Sequence, residues 1–135
     1  MEIPKGNSKG DLKERERIIT QFYYDWRKSH PSRKAYNQNL KANISVEYLS
    51  LTETKRHAAK SYLSTLMVLQ LDAILRLAVK KGKPVPVKQD VKNQKDFSRL
   101  IIMEYNLPGL GIAKMTVGIK KKTGENVQYC ITALK

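Results

Sequence analysis

Cysteine occurs once in the 135 residues, at Cys130, which excludes an intrachain disulfide and any cysteine-built zinc cluster. A reducing, cytoplasmic setting is the expectation that follows. Histidine is almost as scarce. His30 and His57 are the only two, and without carboxylates clustered near them in sequence they offer no metal set. No metal or other cofactor is therefore expected. No apolar run approaches the ~20 residues of a membrane span, and the opening MEIPKGNSKG lacks the apolar core of a signal peptide. There is no glycine-rich loop followed by Lys-Ser/Thr. Gly109-x-Gly111 falls in a proline-containing turn, too little for a dinucleotide fingerprint.

Acidic residues are also in short supply: 12 against 26 basic ones, for a net charge of +14. The excess is uneven. Residues 11–28 hold five basic and four acidic side chains, whereas 55–60, 80–95 and 114–122 together hold thirteen basic residues and one acid, Asp90. Uneven positive charge of this size attracts polyanions, of which nucleic acid is the most abundant in a cytoplasm. The plain alternative is a solubilising charge on a small basic protein.

What is present suits one folded domain. Residues 1–10, with two glycines, a proline and little to bury, read as a mobile tail; residues 11–135 read as the domain. Leu12, Ile19, Phe22, Tyr23 and Trp26 recur at helical spacing, predicting an amphipathic helix over 11–29 with Asp11 as N-cap and His30-Pro31 as its end. Phe22, Tyr23 and Trp26 are assigned to the core and His30 to the surface. The rest of the core is expected over 40–134. Leu40, Ala42, Ile44, Val46 and Tyr48 alternate with polar residues and predict a half-buried strand. Ser50 and Glu53 then form a capping-box pattern. Leu63, Leu66, Met67, Leu71, Ile74, Leu75 and Ala78 predict a long apolar helix over 63–79, with a weak break at Ser61 and Ser64 and a stop at Gly82.

Residues 83–93 read as a basic loop, 97–105 as a short buried element, a strand or alternatively a helix turn, and 107–111 as a turn. Lys122-Thr123-Gly124 then joins two alternating segments into a hairpin, with Gly124 at the left-handed position. The register expected from this turn pairs Ile119 with Val127, Val117 with Tyr129, and Met115 with Ile131. It leaves Lys114, Thr116, Gly118, Lys120, Gln128, Cys130 and Thr132 on a polar, cationic face. The fold class is α+β: a small antiparallel sheet with a C-terminal hairpin, packed on a long apolar helix, plus the N-terminal helix.

These residues suit metal-independent chemistry at a phosphodiester. Cleaving RNA requires a base for the 2′-hydroxyl proton, an acid for the leaving 5′-oxygen, and cations for the charge on phosphorus. His57 titrates near neutrality; Lys55, Arg56, Lys114 and Lys120 can hold phosphate; Thr54 or Thr132 can donate a hydrogen bond. Taken alone, His57 also reads as a polar residue on an exposed helix turn, and Cys130 as a small residue of a strand.

The segment YLSLTETKRHAAKS, followed by the leucine-rich helix ending ILRLAV, resembles nuclease domains of the barnase–EndoU–colicin–RelE-like superfamily. The likeness is to the versions carried by phage proteins and by large polyvalent proteins of mobile elements. It covers roughly residues 44–134. Thr54, Arg56 and His57 match the helix-start motif, Ile74, Leu75 and Ala78 the helix end, and MTVGIKKKTGENVQYCITAL the closing hairpin. FSRLIIMEYNLPGLG departs from the family's aromatic-rich middle strand. The resemblance implies an RNase-like, nucleic-acid-directed domain of a mobile genetic element. In it His57 would be acid or base, Thr132 would position or donate, and Thr54, Lys55, Arg56, Lys114 and Lys120 would bind phosphate. RNA is the favoured partner. The alternatives are a non-catalytic DNA- or RNA-binding accessory protein and a module that docks an acidic protein; no membrane partner is expected.

Overall fold

In the computed structural model, which describes residues 2–134, a long helix α1 (Lys9–Ser29) comes first. Its N-cap is Ser8, whose hydroxyl accepts from the Asp11 amide at 3.0 Å. Asp11 is thus a first-turn acid rather than the expected cap. Arg15, Ile19, Tyr23 and Trp26 form the buried stripe. His30 closes the helix as expected, but is half-buried rather than at the surface. Its ring stacks on Trp26 at 4.0 Å, and its Nδ1 lies 2.8 Å from the Trp26 carbonyl.

Pro4 and Gly6, within the expected mobile tail over residues 1–10, are held against the body. The buried Arg15 guanidinium donates to the carbonyls of Pro4 (2.8 Å), Gly6 (2.7 Å) and Ala59 (2.7 Å). Residues 1 and 135, the outer ends of the expected tail and domain, lie outside the described residues.

A hairpin follows that the sequence did not announce: β1 (Lys34–Asn37) pairs antiparallel with β2 (Ala42–Ser45). The strand expected from Leu40 to Tyr48 is therefore shorter, because Leu40 and Lys41 belong to the turn, Lys41 at φ 55°. Buried Asn37 holds that turn. Its Oδ1 accepts from the Leu40 amide at 2.7 Å, and its Nδ2 donates to the Leu75 carbonyl at 2.8 Å.

Three helices come next, α2 (Tyr48–Ala58), α3 (Tyr62–Val68) and α4 (Leu71–Leu77). The capping box of α2 is Glu47 with Ser50, three residues before the expected Ser50–Glu53 pair. The single long helix over 63–79 is corrected to α3 and α4, hinged at Leu69–Gln70. A straight helix of that length would run about 25 Å. Folded in two, it buries Met67, Val68, Leu71, Ile74 and Leu75 completely. Ser61 caps α3, accepting from the Ser64 amide at 3.1 Å. The run stops at Ala78, short of Gly82, and turns out into β3 (Val79–Lys80). Then come β4 (Phe97–Leu107), β5 (Gly111–Lys120) and β6 (Asn126–Ala133).

Among the described residues these strands form one six-stranded sheet, ordered β1-β2-β6-β5-β4-β3. It is mixed rather than small and antiparallel, since β2 and β6 run parallel. Their register covers only Ile44↔Asn126 and Ser45↔Val127, so most of that edge of β6 is left for helices. The Ser50 hydroxyl donates to the Gln128 carbonyl, and the Ser64 hydroxyl accepts from the Ala133 amide at 2.9 Å. These two hydroxyls stand in for a neighbouring strand.

The closing hairpin keeps half of its expected register. Met115 pairs with Ile131 and Lys114 with Thr132, but a bulge inserts Tyr129 opposite the Thr116–Val117 step. Beyond it Val117 faces Gln128 and Ile119 faces Asn126. A bulge moves the following side chains to the other face. Gln128, expected on the polar face, enters the main core, while Val127 and Tyr129 turn outward.

The inner face of the sheet packs Met103, Met115, Val117 and Ile131 against Ile19, Leu51, Met67, Leu71 and Ile74. The outer face carries a second, smaller cluster of Phe97, Leu100, Val127 and Tyr129 beneath Leu49 and Val87. The Phe97 ring lies so close to Gly118 that a Cβ there would approach its carbons to 2.8 Å. Among the described residues no helix is long and apolar enough to cross a membrane.

Candidate nucleic-acid interface and proton-transfer site

Helix α2 presents different chemistry on its two long sides. Leu51, Thr54 and Ala58, spaced three and four apart, face the core and are buried. Glu53 and His57, one turn apart, stand on the side that borders the outer sheet face, with Arg56 beside them. The His57 Nε2 lies 3.8 Å from Glu53 Oε1, and an Arg56 N–H donates to that same oxygen at 2.9 Å. From the loop between β3 and β4, Asn93 donates to the other oxygen, Oε2, at 2.6 Å. Gln94, its neighbour, donates to the Tyr129 phenol at 3.4 Å. The Cys130 thiol points to the Glu53 carbonyl at 3.8 Å.

The strands extend this cluster. Met115, Val117 and Ile131 belong to the inner core, so by alternation Lys114, Thr116 and Thr132 project from the outer face. Lys114 and Thr132 are direct cross-strand partners. A sheet face bearing Cys130, Thr116, Thr132 and Lys114 is thus flanked by the Glu53–Arg56–His57 side of α2. The loop carrying Lys88, Lys92 and Lys95, all exposed, is anchored to the same site through Asn93 and Gln94.

Electrostatics set the protonation states. Burial alone would raise the Glu53 carboxyl. Hydrogen bonds from Asn93, Tyr129 and Arg56, with the Arg56 charge, outweigh it and hold the group below the usual carboxylate range. His57 is lowered from its ordinary value by burial first and then by the Arg56 charge, with Glu53 acting in the opposite sense. This shift favours the neutral form of the imidazole. Burial pushes the Cys130 thiol up to about 12, assisted by Glu53 and opposed by Lys114 and Arg56. It stays protonated and unreactive at neutral pH.

A direct check follows from these signs. In an NMR titration His57 should show its midpoint below the ordinary 6.5. Arg56→Ala should move it up and Glu53→Gln should move it further down. A midpoint above 6.5, or shifts of opposite sign, would contradict the arrangement.

The residues singled out in sequence are thus divided. His57 and Arg56 meet at Glu53, and the Lys114 charge reaches the same neighbourhood through Cys130. Thr132 shares their sheet face but is not among the groups that bond Glu53. Lys55 is half-buried on the same helix. Thr54 is excluded as a phosphate ligand. It is fully buried, accepting from Gln128 at 2.9 Å and lying 3.2 Å from the Tyr23 phenol. Lys120 is already engaged by acids, at 2.8 Å from Glu47 and 3.8 Å from Glu125. Glu53, Asn93 and Tyr129 were missed. The four-residue spacing of Glu53 and His57 was the available signal, hidden by assigning Glu53 to a capping box. Asn93 and Tyr129 had none, because a loop and a bulge deliver them.

Comparison with family models, curated proteins and solved structures finds no match for the chain.

Proposed function

We propose that this chain is a nucleic-acid-directed, RNase-like domain of a mobile genetic element, cleaving RNA without a metal on the outer face of its sheet. The observation that carries the reading is a partly exposed imidazole held beside a buried carboxylate and a guanidinium, at the rim of a cationic face. His57 takes the 2′-hydroxyl proton. The freed 2′-oxygen attacks phosphorus, and the 5′-oxygen leaves, taking its proton from solvent. Arg56 and Lys114 meet the negative charge that gathers on the phosphate, and Thr132 positions it. Both Glu53 oxygens are occupied, by Arg56 and Asn93. Glu53 is therefore a positioning residue that acts through His57 and Arg56.

The test is incubation of the purified protein with mixed-sequence RNA in excess chelator. Products ending in 2′,3′-cyclic phosphate are expected, because the 2′-oxygen is the nucleophile. Intact RNA, with binding retained, would instead support a second reading: a non-catalytic DNA- or RNA-binding accessory protein. That reading is favoured by the full occupancy of the Glu53 carboxylate. It predicts affinity that falls log-linearly with salt in proportion to the phosphates contacted.

A further inference from the structure

Where α1 runs into β1, a shallow groove of about 360 Å³ is lined by Tyr24, Arg27, Lys28, Pro31 and Arg33. Its lining holds three cations and no acid. None of the three forms an ion pair among the described residues. Tyr24 is 44% exposed, in contrast to its neighbour Tyr23, which is completely buried.

The backbone under Arg33 adds an independent observation. Arg33 adopts φ 58°, a left-handed conformation that suits glycine or asparagine far better than arginine. Two backbone bonds hold it there: its amide donates to the His30 carbonyl and its carbonyl accepts from the Val46 amide, both at 2.8 Å. The turn thus keeps a strained arginine where an unstrained glycine would serve the backbone, and strain of this kind collects at ligand sites. Arg33 therefore lines the groove with Tyr24 and Pro31 from a backbone held in place.

From this geometry we infer that the groove is a binding site for single-stranded nucleic acid. A base stacks on Tyr24, and the flanking phosphates bind Arg27, Lys28 and Arg33. An aromatic platform next to unpaired cations is the pattern by which single strands are held without sequence preference. An acidic peptide would use the cations but not the ring. The groove shares no residue with the Glu53–His57 site, so the inference stands independently of any cleavage.

The experiment is fluorescence-anisotropy titration of a labelled, unstructured ten-nucleotide single strand of DNA, which offers no 2′-hydroxyl to attack. It compares the wild type with Tyr24→Ala and Arg33→Gly. Both variants should fold, since Tyr24 is exposed and glycine relieves the strain; circular dichroism verifies this. Tyr24→Ala should weaken binding roughly tenfold. Arg33→Gly should weaken it and flatten the slope of log affinity against log salt by about 0.7. If neither variant changes affinity, the site is not there. If Arg33→Gly weakens binding while Tyr24→Ala does not, and polyglutamate competes as well as the oligonucleotide, the groove is an acidic-protein site and the inference is overturned.

Discussion

Replacing His57 with alanine should lower RNA cleavage by about 10²–10⁴, the usual contribution of one general acid or base. Affinity for an uncleavable deoxy oligonucleotide should change little, because Arg56 and Lys114 remain. The pH profile sharpens this expectation. A base must be neutral to act, so the rate should rise with pH through the His57 value, which lies below 6.5, and then level off. Glu53→Gln removes the one neighbour that raises the imidazole, so the rising limb should move to lower pH. Arg56→Ala removes a charge that lowers it, and the limb should move up. A merely structural Glu53 would change the amount of active protein without moving the limb. Cleavage that persists at wild-type rate in His57→Ala would remove the histidine from the reaction.

How far the site was legible depended on whether a residue's position follows from helical period or from pairing. The two sides of α2 follow from period: Leu51, Thr54 and Ala58 are spaced for burial. That pattern alone could have moved Thr54 from the phosphate ligands to the core. The apolar stripe over 63–79 was legible as core but not as two helices. Its break at Leu69–Gln70 carries no glycine or proline, and the hinge serves tertiary packing rather than local propensity. The outer face depended on pairing. Alternation correctly placed Lys114, Thr116, Cys130 and Thr132 together. A single inserted residue, Tyr129, then exchanged Gln128 for Val127 across the rest of the hairpin. The left-handed Gly124 was read correctly, with φ 74°, but the loop is one residue longer than the expected Lys122-Thr123-Gly124: Lys120 and Glu125 close it, and Ile119 pairs with Asn126 rather than Val127. A bulge in mid-strand, however, has no sequence mark, because it is selected by what the two faces must bury. The hairpin of β1 and β2 was missed for a related reason. Four-residue strands show too little alternation, and Asn37 fixes their turn through contacts with α4.

Gln128→Leu should be the most damaging single substitution in the core that is close to conserving volume. Tyr23, Thr54 and Gln128 are all fully buried and bond one another. The Tyr23 phenol donates to Gln128 Oε1 at 2.7 Å, and Gln128 Nε2 donates to the Thr54 hydroxyl at 2.9 Å. The two hydroxyls lie 3.2 Å apart, which closes the ring. Leucine removes both amide bonds at once, and a stranded buried polar group costs roughly 1–3 kcal/mol. A loss of about 2 kcal/mol or more is expected in chemical denaturation, a large share of the 5–15 kcal/mol typical of a domain. Adding Tyr23→Phe and Thr54→Val should recover much of it, since removing every partner leaves nothing unsatisfied. That recovery is the discriminating result: three losses that simply add would show independent contacts rather than a ring. The ring also bears on the candidate site. It binds α1, α2 and β6 at the residue next to the bulge, on the flank of α2 adjoining Glu53 and His57. Gln128→Leu should therefore release the constraint that sets α2 against Tyr129 and Cys130, and cleavage should fall even where the variant remains folded. The triple variant, repacked without polar groups, should regain stability before it regains activity.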